Sequence, residues 1–542
     1  MLTLSFDHPN RWGPSRSAMM SRHGVVATSQ PLAALAGVEI LQRGGNAVDA
    51  AIAAAAMLAV VEPMSTGIGG DAFAVIYEAK TAKLLGLNAS GRSPYAATLE
   101  EYRCRLAERG VQEIPSDSLL AITVPGTVDG WVSAIQRCGR MPLGEVLAPA
   151  IRAAEEGFPV APQTALAWSA GREFLLRTSD SAKTWLYPNG HTPRPGEVFK
   201  NARLGQTLRL IAEEGRELFY KGEIADAIVH FSERNDGLFT QADFSSHTPT
   251  WVEPISIKYR GYDIFELPPN GQGVTVLEAL NILAQDDLHE LGHNTFDTVH
   301  LQLEAMKLAL HDCKRYITDP QFVQIPVTGL LSEEYAKKQR ARISMDRAIE
   351  FPVAGSPTSG DTVYVCAADT EGNVVSFINS IFIPWGSALT VGDTGILLHN
   401  RGSSFSLDSN HVNVIAPHKR TRHTIIPAML LYEGKPIITF GFVGGDMQAQ
   451  AQVQFICNVV DFGMNVQDAL DAPRWQYNGS GASTALEREM PADVWAELAN
   501  RGHEITGSNG FFGGGQAILI HPEYGTFQGG SDSRRDGCAI GY

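Results

Sequence analysis

Thr362, directly after Asp361, is the residue of this chain whose setting could turn a hydroxyl into a nucleophile. Small residues, Thr358-Ser359-Gly360, run up to the junction. Residues 363–369 then alternate and are rich in β-branched side chains, Gly372 marks a tight turn, and residues 374–380 read as a second strand. The pattern predicts a β-hairpin with a threonine at its leading end. On that pattern alone the Asp361-Thr362 pair merely starts a strand. A cut between the two changes the chemistry, because Thr362 would then carry its hydroxyl and a free α-amine on one skeleton. Such an amine titrates near about 8. It can therefore accept the hydroxyl proton at neutral pH and return it to a leaving nitrogen, which an amide nitrogen cannot do. The uncut chain is expected to be an inactive precursor.

The elements that must hold this hairpin follow from the surrounding periodicities. Residues 24–28 read as a strand, 31–43 as an amphipathic helix ended by Gly44-Gly45, and 46–61 as an alanine-rich buried helix. The glycine-rich stretch 62–73 follows a helix and leads into a strand at 73–77, the reverse of a dinucleotide-binding loop, so its glycines are expected to permit close backbone approach. Leu84–Asn88 leads into a turn holding Arg92, a candidate anion ligand. Helical patterns dominate to about residue 233, strands return from 249 with a helix opening near Gly273, and a long amphipathic helix covers 296–316. Residues 343–359 are irregular, as a segment released on cleavage should be. Beyond the junction, strands are expected at 363–368, 374–378, 424–432 and 436–442, and helices at 447–460 and 466–470. Strands around intervening helices give an α+β class.

The chain has 542 residues, a hydrophobic fraction of 44% and no charge-rich linker, which argues for one large globular unit or two interleaved ones. Its net charge of −16 comes without a basic cluster, which excludes nucleic acid and anionic membrane as expected partners. Residues 1–17 lack the apolar core of a signal peptide, and the apolar run 50–61 is too short to span a bilayer. Cys104, Cys138, Cys313, Cys366, Cys457 and Cys538 are scattered without zinc-site spacing or a disulfide framework. A cytoplasmic protein without metal or cofactor is expected.

The hairpin segment, Gly444-Gly445, the turn Thr123-Val-Pro-Gly-Thr-Val-Asp-Gly-Trp131 and the ending Gly529-Gly-Ser-Asp-Ser-Arg-Arg-Asp-Gly-Cys-Ala-Ile-Gly-Tyr542 together resemble the γ-glutamyltransferase (glutathione hydrolase) family. The likeness runs over about residues 24–542. It implies an N-terminal-nucleophile hydrolase with a four-layer αββα sandwich, cleaved into a large fragment 1–361 and a small fragment 362–542 that stay together as one unit. Many bacterial relatives are exported, and the amino terminus departs from them. Ser380 falls where the family has a second threonine that hydrogen-bonds the nucleophile. Gly444 and Gly445, just ahead of a helix, are expected to hold the oxyanion through backbone N–H groups.

The residues that read the substrate differ from the family pattern. Where γ-glutamyl enzymes grip the α-amino and α-carboxylate groups with Asn, Glu or Gln, Asp and a Ser-Ser pair, counting without gaps from Thr362 gives Phe382, Arg401 and Ser404, and after a shortened loop His423-Thr424. Partners for an ammonium are gone, and an arginine and a histidine suited to an anion stand there. Arg92 is a shifted candidate for the family's carboxylate-binding arginine. The loop 405–418 is shorter than in relatives with a lid. Arg401-Gly-Ser-Ser-Phe405 and His423-Thr-Ile-Ile-Pro427 resemble the branch that includes oxamate amidohydrolase. The expected partners are a small anionic amide and the chain's own two fragments, with a dimer of heterodimers left open. Two alternatives stay open as well: a conventional glutathione hydrolase or transpeptidase, and a processed but silent protein that binds an acidic metabolite.

Overall fold

In the strand Asp361–Asp369, the side chains of Val363, Val365 and Ala367 join a core against helices, while Tyr364, Cys366 and Ala368 join a core between two sheets. That period of two sets the layering of the whole molecule. The computed structural model of the chain describes residues 15–350, 360–479, 481, 483–508 and 511–542. The expected irregular stretch 343–359 is described to residue 350, and 351–359 lie outside the described residues.

The first sheet has seven strands in the order Cys538–Gly541, Gly24–Thr28, Asp361–Asp369, Val374–Phe382, Asp71–Glu78, Lys83–Asn88 and Thr250–Val252. The second also has seven, in the order Met19–Ser21, Phe527–Ser531, Gly514–Ile520, Lys435–Val443, Ala428–Tyr432, Tyr262–Glu266 and Ile255–Tyr259. Neighbouring strands in both sheets run antiparallel. Each of these two sheets holds strands from both sides of the Asp361-Thr362 junction, so neither part of the chain completes either of them alone.

Helices cover both outer faces. Pro31–Gln42 starts with proline in its first turn and the Gln30 side chain as cap, and Ala47–Val61 starts with a capping box of Asn46 and Asp49. Every residue of Ala47–Val61 is buried, and its alanines leave room for the neighbouring helix and the sheet. Gly273–Leu283, Phe296–Tyr316 and Met447–Val460 cover the second sheet. The αββα order is therefore as the resemblance implies.

Some boundaries differ from expectation. The strand expected at 424–432 begins at Ala428, because residues 421–427 carry the polar cluster described below. The second hairpin strand runs past Ser380 to Phe382. Three strands, Gly514–Ile520, Phe527–Ser531 and Cys538–Gly541, are absent from the sequence reading because glycines interrupt their pattern.

Candidate active site at Thr362

The hairpin register slips beside Thr362. Asp361 pairs with Phe382 but Val363 pairs with Asn379, so Ser380 and Ile381 together face Thr362. Such a bulge re-aims side chains at the end of a pair. Phe382 sits at φ +78°, a conformation bulky side chains rarely adopt, and its N–H donates to Ser380 Oγ at 2.9 Å. Thr362 Oγ1 donates to the same Ser380 oxygen at 3.1 Å and accepts from Gln448 Nε2 at 3.4 Å. Beneath Ser380 lies Gly70, where a Cβ would come within 2.4 Å of the Ser380 carbonyl oxygen. The glycine-rich stretch thus allows the close approach expected of it.

Arg401 brings a buried cation to this hydroxyl pair. It is 1% exposed, donates to Thr424 Oγ1 at 2.9 Å and to Ser380 Oγ at 3.3 Å, and its guanidinium carbon lies 4.1 Å from the centre of the Phe382 ring. Its Nε is buried and has no hydrogen-bond partner among the described residues. Burial lowers the guanidinium to about 9, with Asp71 opposing, which leaves it charged at neutral pH.

Behind Arg401 stands Asp71, at the start of its strand. Its carboxylate accepts Gly91 N–H at 3.0 Å and His423 Nε2–H at 3.1 Å, and lies 4.0 Å from His399 Nδ1. Burial alone would raise this carboxyl, but His399, the hydrogen bond from His423 and the Arg401 charge outweigh it and hold it below its usual range. His399 Nδ1 accepts Arg401 N–H at 3.1 Å, so its Nε2 carries the proton and donates to the Thr123 carbonyl at 2.8 Å. Burial, followed by Arg401, pushes His423 down to about 3. This corrects the expectation that His423 offers positive charge to an anion: the ring is neutral, packed on Phe73 and committed to Asp71. A lone aspartate in a glycine-rich run gave no sign of this role.

Gly444 and Gly445 both have positive φ, +120° and +62°, and lead directly into the helix Met447–Val460. The Gly445 carbonyl accepts from Gln272 Nε2 at 3.1 Å, and Gln272 also donates to the Thr424 carbonyl at 2.8 Å. Gln272 thus ties the glycine turn to the Arg401 partner. Gly360, the residue before the junction, packs directly on Gly445. Thr362, Ser380, Arg401, Thr424 and the glycine turn are therefore brought together. Arg92 and Ser404 are not part of that network: Arg92 donates to Gln321 at 3.1 Å, and the Ser404 carbonyl takes Asn413 Nδ2–H at 2.8 Å. Gln448, Gln272 and Asp71 are site residues that the sequence reading missed.

Elsewhere, His300, Glu304 and His503 place three ligand atoms within 4.8 Å of one another. That cluster already holds a cation, since Lys307 Nζ pairs with Glu304 at 2.7 Å, and His300 bonds His503 at 2.8 Å. All six cysteines are free thiols. A cavity of about 600 Å³ opens around Gly372, Tyr432 and Ile520, at the turn end of the hairpin and about 20 Å along the strand from Thr362. No helix among the described residues is long and apolar enough to cross a membrane.

Two antiparallel sheets between helical layers, with a threonine at the head of a central strand, define the N-terminal-nucleophile hydrolase class. Residues 33–542 match the Gamma-glutamyltranspeptidase family, and the chain belongs to that family of self-processing amidohydrolases. It is 40% identical over 525 residues to a glutathione hydrolase-like YwrD proenzyme of Bacillus subtilis, covering 95% of this chain and 98% of the relative. The oxamate amidohydrolase proenzyme of Klebsiella pneumoniae is 34% identical over 539 residues, covering 97% and 100%. A crystal structure of cephalosporin acylase from Bacillus halodurans superposes with a TM-score of 0.92 at 44% identity, covering 99% of each chain.

Proposed function

We propose that the chain cuts itself between Asp361 and Thr362 and then hydrolyses a small amide whose acyl group carries a carboxylate, with oxamate as the leading candidate. In self-cleavage, Thr362 Oγ1 adds to the Asp361 carbonyl carbon, the C–N bond breaks, and the nitrogen gains the hydroxyl proton. Water then hydrolyses the resulting ester. The products are a carboxylate at Asp361 and a free amine on Thr362, in fragments 1–361 and 362–542. In turnover that amine takes the Oγ1 proton, the oxygen forms an ester with the substrate acyl group, and the proton leaves with the departing nitrogen; water then adds to the ester carbon, the C–Oγ1 bond breaks, the acid is released and Oγ1 regains a proton from that water. Backbone N–H groups at Gly444 and Gly445 serve the oxyanion. Ser380 holds the hydroxyl rotamer.

The single observation behind the substrate class is the buried Arg401, a cation beside the nucleophile with an unpartnered Nε. A carboxylate reaching that nitrogen would make a charge-assisted bond in a buried site. A second reading, an acylase acting on a larger amide, draws support from the superposition on the cephalosporin acylase at 44% identity. Specificity constants for oxamate, a cephalosporin side-chain amide and γ-glutamyl-p-nitroanilide on one processed preparation separate these readings. Preference for oxamate supports the first, and preference for either of the others overturns it.

A further inference from the structure

The helix Met447–Val460 is wholly buried yet carries glutamine at 448, 450, 452 and 454. Buried amides need partners, and helical geometry sorts these four into two faces of two. On one face, Gln450 Oε1 takes Tyr477 N–H at 2.7 Å and its Nε2 donates to the Tyr477 carbonyl at 3.1 Å. One turn on, Gln454 does the same with Trp475, at 3.1 Å and 3.0 Å. On the other face, the Ile426 peptide is bracketed: its N–H donates to Gln448 Oε1 at 3.2 Å, and its carbonyl accepts Gln452 Nε2–H at 2.7 Å. All four glutamines thus bond backbone groups of a neighbouring segment.

Gln448 differs from the other three at its donor end. Because Ile426 N–H occupies its oxygen, the amide cannot be flipped, and its NH2 group is the end that must face Thr362. That group lies 3.4 Å from Thr362 Oγ1, inside a site where Gln448 and Thr362 are 0% and 1% exposed. We infer that Gln448 is a catalytic residue for Thr362, donating to Oγ1 whenever that oxygen carries developing negative charge. This rests on Thr362 being the nucleophile. The charge is largest when the ester is hydrolysed: water adds to the ester carbon, the C–Oγ1 bond breaks, and the departing oxygen takes the proton that the water gave up. A preset N–H at Oγ1 stabilises that departure in self-cleavage and in turnover alike.

Gln448→Glu keeps the oxygen that accepts from Ile426 and exchanges the donor for a second acceptor. Gln452→Glu, one turn along the same face, makes the same change away from Thr362 and reports structural damage. The expected result is self-cleavage slowed roughly ten- to hundredfold in Gln448→Glu, with an ester at Thr362 that neutral hydroxylamine releases as a hydroxamate on Asp361. Gln452→Glu should mature like the parent. Maturation of Gln448→Glu at the parental rate without trappable ester would overturn the inference, as would an equal delay in Gln452→Glu. Should Gln448→Glu fail to fold, Gln448→Met carries the same two outcomes. Failure of the nucleophile assignment reads out separately, as cleavage that persists in Thr362→Ala.

Discussion

A Cβ added to Gly360 would stand 2.9 Å from the Cα of Gly445, 3.1 Å from its nitrogen and 3.2 Å from the Phe382 carbonyl oxygen. All three obstacles are backbone, so none can swing aside. The contact joins the residue preceding Asp361 to the glycine turn proposed to hold the oxyanion. Chain entering the junction is thereby pressed against the groups that would stabilise its carbonyl.

Gly360→Ala should therefore displace the Asp361 carbonyl from Thr362 Oγ1. A misplacement of about 1 Å costs on the order of a hundredfold in rate, and overpacking costs about 1–3 kcal/mol in stability. Intact mass followed over time after synthesis checks this. Cleavage at the parental rate would show that the contact does not set the geometry.

Thr362→Ala should give a folded, uncut and inactive chain, because the hydroxyl is lost while the strand pairing on both sides stays. Thr362→Ser should retain some processing. After cleavage the two fragments should co-purify without a covalent link, since both seven-stranded sheets draw strands from each fragment. Edman sequencing of active protein that returns only Met1 would remove self-cleavage from the account.

Much of this was legible before the structure, and what was not has physical causes. The helices Phe296–Tyr316 and Met447–Val460 match their expected bounds because long apolar periodicity survives any tertiary context. The strands after residue 513 were hidden by their glycines, and packing explains why glycine is there: a Cβ at Gly515 would lie 2.3 Å from the Phe442 ring, and one at Gly529 would lie 2.7 Å from Ala539 Cβ. Strand pattern was given up for close approach. Site chemistry divides the same way. Thr362, Ser380 and the glycine pair come into view through the family resemblance of their segments, whereas the burial of Arg401 and the bonding of Asp71 to His423 exist only once distant segments meet.

Buried histidines should make stability fall with acid. Burial pushes His247 and His423 down to about 3 and His503 to about 2, whereas an unfolded histidine titrates near about 6.5. Between these values the unfolded chain binds more protons, so stability drops as pH falls through that window, by about 1 kcal/mol per pH unit for each group. Asp71, held below its ordinary value, adds its own loss only below about pH 4. Urea midpoints at pH 7, 6 and 5 should decline steadily. A flat series would contradict neutral, buried histidines.

The last prediction concerns Arg401. Counting positions from Thr362 leads one to expect that Arg401→Ala weakens substrate binding and leaves self-cleavage alone. The bond from Arg401 to Ser380 at 3.3 Å changes that expectation, because Ser380 is also the acceptor of the Thr362 hydroxyl. Removing the guanidinium withdraws one of the donors that fix Ser380, uncovers the Phe382 ring and leaves Asp71 facing a gap. Self-cleavage should slow a few-fold. The larger effect should fall on a carboxylate-bearing amide, where a charged hydrogen bond worth about 1.5–3 kcal/mol implies roughly a ten- to hundredfold loss in kcat/KM. Arg401→Lys keeps charge but not the fork that reaches both Thr424 and Ser380, so it should recover part of that loss and no more. An uncharged amide of similar size should lose little in either variant. Equal losses for charged and uncharged amides would mean that Arg401 is structural and the carboxylate is read elsewhere.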